Sequence, residues 1–173
     1  MRLDELRKHL ARANSEILII SPYLTPGTLS DVLSEIPEET EVTVICSWRD
    51  RDLHSGSSHL ETYHLCQKRG WTLRVDHDGM PRTIHLKAYV VDGQDAMMGS
   101  ANMTRRGMRS NIESMIPVTL SEHPSLSDAV QSSVEGSLEV DEAVCRRFKE
   151  RVESFPPLET PKFPKFDPIH GET

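Results

Sequence analysis

Glu16-Ile17-Leu18-Ile19-Ile20-Ser21 is a short, unbroken apolar run, and such a run suits a strand covered on both faces of a sheet. Just before it, Leu3, Leu6, Leu10 and Ala13 recur at helical spacing among charged residues, and Asn14-Ser15 closes that helix. Just after it, Pro22, Pro26 and Gly27 break the chain, and Leu29, Val32, Leu33 and Ile36 mark a second helix. Glu41 to Ser47, carrying Val42, Val44 and Cys46, reads as a second strand, followed by a polar loop with Trp48, Arg49, Arg51 and Gly56. Ser57 or Ser58 is expected to cap a third helix bearing Leu60, Tyr63 and Cys66, which Gly70 stops. Trp71, Leu73 and Val75 then alternate as a third strand.

Further along, helices give way to strands. Asp78-Gly79 and Pro81 mark a turn, Ile84 to Val91 reads as a strand, and Asp92-Gly93 as a tight hairpin turn. Ala96 to Gly99 is expected to pair back, and Asn111 to Val118 to add another strand. Val140, Val144, Phe148 and Val152 recur every four residues, an amphipathic helix over about 140–155. The expected fold class is α/β, a three-layer α/β/α sandwich with a mixed sheet. One domain is expected over 1–155, with 156–173, rich in proline from Pro156 to Pro168, as a tail or linker.

The chain has 173 residues, of which 36% are hydrophobic. That length suits one domain whose core needs neither disulfides nor metal. Twenty Lys+Arg against twenty-seven Asp+Glu give a net charge of −7, which argues against a surface that coats nucleic acid throughout and leaves room for a local basic patch. No apolar run is long enough to span a membrane, and Met1 to Glu5 is charged, unlike a secretion signal. Cys46, Cys66 and Cys145 are odd in number and lack metal-ligand spacing, so they are expected to be reduced, in a cytoplasmic protein.

Chemistry concentrates between Ile84 and Glu113, in the spacing His85-x-Lys87-x4-Asp92-x6-Gly99-Ser100-x-Asn102. On a strand, His85 and Lys87 would project from one face. An imidazole beside an ammonium suits attack on a phosphodiester, the ring as nucleophile and the lysine stabilising charge on non-bridging oxygens. Gly99 permits close backbone approach, Ser100 and Asn102 supply neutral donors, and Glu113 is placed to orient the His85 ring.

This pattern closely resembles the HKD motif of the phospholipase D superfamily, including the apolar Ala88-Tyr89-Val90-Val91 within it and the downstream Asn111 and Glu113. The resemblance implies that family's fold and phosphodiester cleavage through a covalent phosphohistidine, generally without a metal or other cofactor. It implies catalytic roles for His85, Lys87, Ser100, Asn102 and Glu113, with Asp92 more a hydrogen-bonding partner at the turn than a direct catalyst. The family builds one active site from two such motifs. None of His9, His54, His59, His64, His77, His123 and His170 is followed by a lysine at the required spacing, so the resemblance implies a site completed by homodimerisation.

Arg105, Arg106 and Arg109, just after Asn102, are candidates for gripping the substrate's phosphates, and Trp48, Arg49 and Arg51 for lying at the same sheet end. His54, His59 and His64 step by five residues and cannot converge on one ion from a helix; Asp76-His77-Asp78 reads as a polar strand end. The expected activity is a metal-independent nuclease acting on DNA or RNA as a homodimer, with further domains or subunits supplying any sequence specificity. The alternatives are a non-catalytic dimerisation or nucleic-acid-binding module of a larger defence or repair protein, and a lipid phosphodiesterase. The last would be expected to show a membrane anchor or an amphipathic surface helix with exposed aromatics, and neither is evident.

Overall fold

The computed structural model describes residues 3–158. The helix α1 (Leu3–Leu10) buries Leu6 and Leu10 completely, each worth about 1.5–3 kcal/mol of transfer free energy. It leads into β1 (Glu16–Ile20), α2 (Pro26–Val32) and β2 (Glu41–Ser47). Two helices, α3 (Asp50–His54) and α4 (Glu61–Arg69), precede β3 (Thr72–Asp76). The hairpin β4 (Ala88–Val91) and β5 (Asp95–Gly99) is followed by α5 (Arg105–Arg109) and β6 (Met115–Thr119). The described chain closes with α6 (Pro124–Glu135), β7 (Leu138–Glu139) and α7 (Glu142–Glu153).

The seven strands form one sheet in the order β6-β5-β4-β1-β2-β3-β7. β1, β2 and β3 run parallel, and the remaining pairings are antiparallel, so the sheet is mixed. Because side chains alternate across a strand, Ile17 and Ile19 enter one core and Ile20 the other. The first core packs Leu6, Leu29, Tyr63 and Cys145, from α1, α2, α4 and α7, against the sheet. The second packs α6, through Val130, with Leu126 and Val134 beside it. The layers are therefore helices, sheet and helix, as expected, with one face more fully covered than the other.

Several local expectations are corrected. The stretch after β2 is helical, with Asp50 and Asp52 in the first turn of α3, where the helix dipole favours acids. Neither Ser57 nor Ser58 caps α4; Leu60 holds that position without a side-chain bond, and both serine amides donate to the carbonyl of Asp52. The strand expected from Ile84 begins at Ala88, and the one expected from Asn111 begins at Met115. The helices α5 and α6 were not expected. At the hairpin, Asp92 (φ 49°) and Gly93 (φ 65°) are both left-handed, which matches the twist of the flanking strands. The three cysteines are free and buried. Most of the expected tail, from residue 159 on, lies outside the described residues.

Candidate active site

The registers Ile20↔Ala88, Ser47↔Asp76 and Gly99↔Met115 bring the carboxyl ends of β1, β2, β3 and β5 to one end of the sheet, beside the amino ends of β4 and β6. His85 and Lys87 stand at this end, in the segment just before β4, outside the strand bounds. Lys87 Nζ donates to the His85 carbonyl oxygen at 2.9 Å and lies 3.1 Å from Nδ1 and 3.2 Å from Nε2 of the same residue. A neutral imidazole has a single in-plane lone pair, on one of its two nitrogens, and an ammonium nearly equidistant from both is not aligned with it; it sits beside the ring as a charge. Lys87 is buried and His85 exposed. Burial pushes the Lys87 ammonium below its ordinary pKa, and the Glu113 carboxylate partly opposes this.

Ser100 and Glu113 meet at the β5–β6 end. Ser100 Oγ donates to Glu113 Oε2, and Asn111 Nδ2 donates to Oε1 at 3.0 Å. The Ser100 amide donates to the Ser114 carbonyl at 2.9 Å, and the Ser114 amide to Ser100 Oγ at 3.1 Å. The Ser100 and Asn111 hydrogen bonds hold the Glu113 carboxyl below the usual carboxylate range. The pairing of Glu113 with the His85 ring that the motif suggests is not among these bonds. Gly99 is obligatory for reasons of space, since a Cβ there would stand 2.0 Å from the Ser114 carbonyl oxygen.

Asn102 sits in a segment laced to the loop after β1. The Met103 amide donates to Ser21 Oγ at 2.9 Å, the Thr25 amide to the Met103 carbonyl at 3.0 Å, and Tyr89 OH to the Ala101 carbonyl at 2.7 Å. Ser21 Oγ also lies 3.5 Å from Asn102 Oδ1. Gly107 of α5 packs against this segment so closely that a Cβ would lie 2.3 Å from the Asn102 carbonyl oxygen. The part that Ser21, Tyr89 and Gly107 play in holding this segment is not legible in the sequence, because a serine, a core tyrosine and a helix glycine carry no such signal without their neighbours.

Asp92 lies at the opposite end of β4. Its carboxylate accepts the amides of Asn14, Ser15 and Glu16 at 2.9–3.1 Å, with Asn14 Nδ2 and Ser15 Oγ as further donors. Those amides hold its carboxyl far below the ordinary value. It ties the hairpin to the start of β1, a full strand away from Lys87.

The arginines divide. Arg105 and Arg106 lie exposed on α5, whereas Arg109 Nη2 is 3.2 Å from Asp31 Oδ2, a carboxylate shared with Arg7. Trp48 is fully buried and packs edge-on against Phe148. Arg49 is drawn inward to Asp76, and Arg51 remains largely exposed beside Asp52. Among the described residues, no three His, Cys, Asp or Glu side chains gather as a metal-holding group. No described helix is long and apolar enough to cross a membrane.

Comparison with known proteins gives a consistent result. The family model described as "Cardiolipin synthase, PLD-like domain" matches residues 6–135. The phospholipase D family member Nuc from Salmonella typhimurium aligns with a TM-score of 0.61 at 15% identity, over 80% of this chain and 90% of that one. NucT from Helicobacter pylori aligns with a TM-score of 0.62 at 14% identity, over 80% and 90%. A phosphatidylserine synthase from Haemophilus influenzae aligns at 0.55 and 15% identity, over 86% of this chain and 42% of that one. At these identities the likeness is one of fold. No curated protein matches the chain.

Proposed function

The chain belongs to the phospholipase D superfamily, and from that premise we propose that it is a metal-independent nuclease, cleaving DNA or RNA through a covalent phosphohistidine at a site completed by a second copy. The observation that carries the reading is the buried Lys87 ammonium 3.1 Å from the exposed His85 ring. In the proposed reaction the imidazole of one His85 attacks phosphorus, while the other His85 gives its proton to the departing oxygen. Water then attacks the phosphohistidine, the second ring takes the water's proton, and the first imidazole is released. Lys87, Ser100 and Asn102 hold the non-bridging oxygens, and Glu113, once released from Ser100, orients the ring. The support for a second copy is the single motif, where the family resemblance implies two. Fully exposed Ile112, beside Glu113, offers such a partner an apolar contact.

Labelled DNA and RNA incubated with the protein in EDTA are expected to be cleaved, and not by the His85→Ala variant. An absolute need for a divalent ion sinks the metal-independent mechanism. Cleavage of a lipid phosphodiester with neither nucleic acid touched replaces the substrate class.

The alkaline limb follows from Lys87. Its depressed pKa means that the ammonium is lost as pH rises, at a pH below the ordinary lysine value of 10.5. Cleavage is therefore expected to decline on the alkaline side in the native protein, and Lys87→Arg to remove that decline, since a guanidinium stays charged. An unchanged limb in Lys87→Arg would assign it to another group.

For Arg105 and Arg106 the expected effect is on binding. Log affinity falls with log salt at a slope of about −0.9 per phosphate neutralised on duplex DNA and about −0.7 on single strands. Arg105→Ala or Arg106→Ala is expected to weaken binding across sequences and to reduce the slope by about one for each phosphate no longer gripped. Arg109→Ala is expected to do less, because its guanidinium already pairs with Asp31. Affinity and slope unchanged in the first two variants would make the cluster a solvated helix face.

A further inference from the structure

We infer that the Arg49–Asp76 ion pair positions His85, and that Arg49 serves the reaction from inside the protein rather than by holding phosphate. The inference rests on the reading of His85 as the reacting group. The segment 82–87 enters β4 with little ladder of its own, and its main chain is held from below. The Ile84 amide, one residue before His85, donates to Asp76 Oδ2 at 3.1 Å, and Arg49 Nη2 donates to the Arg82 carbonyl at 3.1 Å. The two anchors belong to a single unit, because Arg49 Nε and Nη2 donate to Asp76 Oδ2 and Oδ1 at 2.9 and 2.8 Å.

This unit is rigid for identifiable reasons. A bidentate guanidinium–carboxylate pair fixes two planes together, and the Asp76 side chain is wholly buried at the end of β3. The Asp76 main chain is tied beside Arg49, since the amide of the preceding Trp48 donates to the Asp76 carbonyl at 2.7 Å. Arg49 is 14% exposed, with Nη1 3.5 Å from Asp78 Oδ1, so its donors face protein acceptors rather than a substrate. A bidentate pair buried at the carboxyl ends of β2 and β3 thus reaches across to the chain that carries the reacting ring. Displacement of a reacting group by about 1 Å can cost on the order of a hundredfold in rate, so such anchors bear on turnover.

The test uses Arg49→Met, Asp76→Asn, their combination and Arg49→Lys in the full chain, with a labelled oligonucleotide as substrate. The combined variant leaves no unpaired buried charge, so it remains informative if a single variant folds poorly. Expected for the combined variant are a kcat lower by about ten- to a hundredfold, a KM within about twofold and an unchanged salt slope. Exchange of the Ile84 amide is expected to quicken at least tenfold while the Val44 and Tyr89 amides stay protected, and Arg49→Lys is expected to recover part of both losses.

A raised KM with a salt slope reduced by about one, at unchanged kcat, would overturn the inference and make Arg49 a phosphate ligand. Unchanged Ile84 exchange overturns it as well. If the native protein cleaves no phosphodiester, the nuclease reading fails alone, and the exchange arm still decides whether this pair holds the His85 segment.

Discussion

His85→Ala is expected to lower turnover by on the order of ten-thousandfold or more while leaving affinity for nucleic acid and its salt slope nearly unchanged. The effect is large because one substitution would empty the proposed site twice, removing the nucleophile of one copy and the proton donor of the other. Binding is spared because the proposed phosphate contacts, in Lys87, Ser100, Asn102 and the arginines of α5, are left in place. Mixed dimers sharpen the test. A dimer with one native and one substituted chain retains either a nucleophile or a proton donor, and is expected to fall well below half the native rate. Activity in proportion to the native subunits would mean that each chain works alone. Light scattering that finds a fully active monomer would sink the shared site directly.

Gly99→Ala is expected to damage stability and turnover together. Its Cβ would stand 2.0 Å from the Ser114 carbonyl oxygen and 2.9 Å from Met115 Cα, both backbone, so the β5–β6 ladder must part. Overpacking of this kind costs about 1–3 kcal/mol, or a Tm lower by roughly 3–10 °C in a chain of this size. The parting strands carry Ser100 away from Ser114 and Glu113, so turnover is expected to fall further than the Tm shift explains. Differential scanning calorimetry and cleavage assays check this at a temperature where the variant is folded. A Tm and kcat both within error of the native values would mean that the strands do not approach so closely.

How far the residues reveal the fold depends on how local the cause is. The β1 run, the β2 bounds and the Asp92-Gly93 turn were legible because periodicity and backbone sterics act within a few residues. Ser57 and Ser58 misled, since a serine near a helix start is a cap only if the chain aims it there. The helix α6 was missed although Leu126, Val130 and Val134 recur every four residues, with Pro124 at its first position. Its serine-rich polar face masked that stripe. The missed α5 has no stripe of its own; its buried Gly107 and Met108 are defined by contact with the Asn102 segment and the core.

By itself the sequence determined the family, the α/β class and the identity of the motif residues, because each depends on residue type at fixed short spacing. Tertiary structure alone decided how the charged groups are used. Arg49 and Arg109 read along the chain as free cations near a phosphate site, yet their carboxylate partners lie 27 and 78 residues away. Asp76, in a run that reads as a polar strand end, holds the chain entering His85. The Arg49–Asp76 pairing and the anchoring of the His85 segment follow from strand register, which brings Ser47 beside Asp76 and Ile20 beside Ala88. Register is the summed outcome of burying two sheet faces at once, so no window of neighbouring residues contains it.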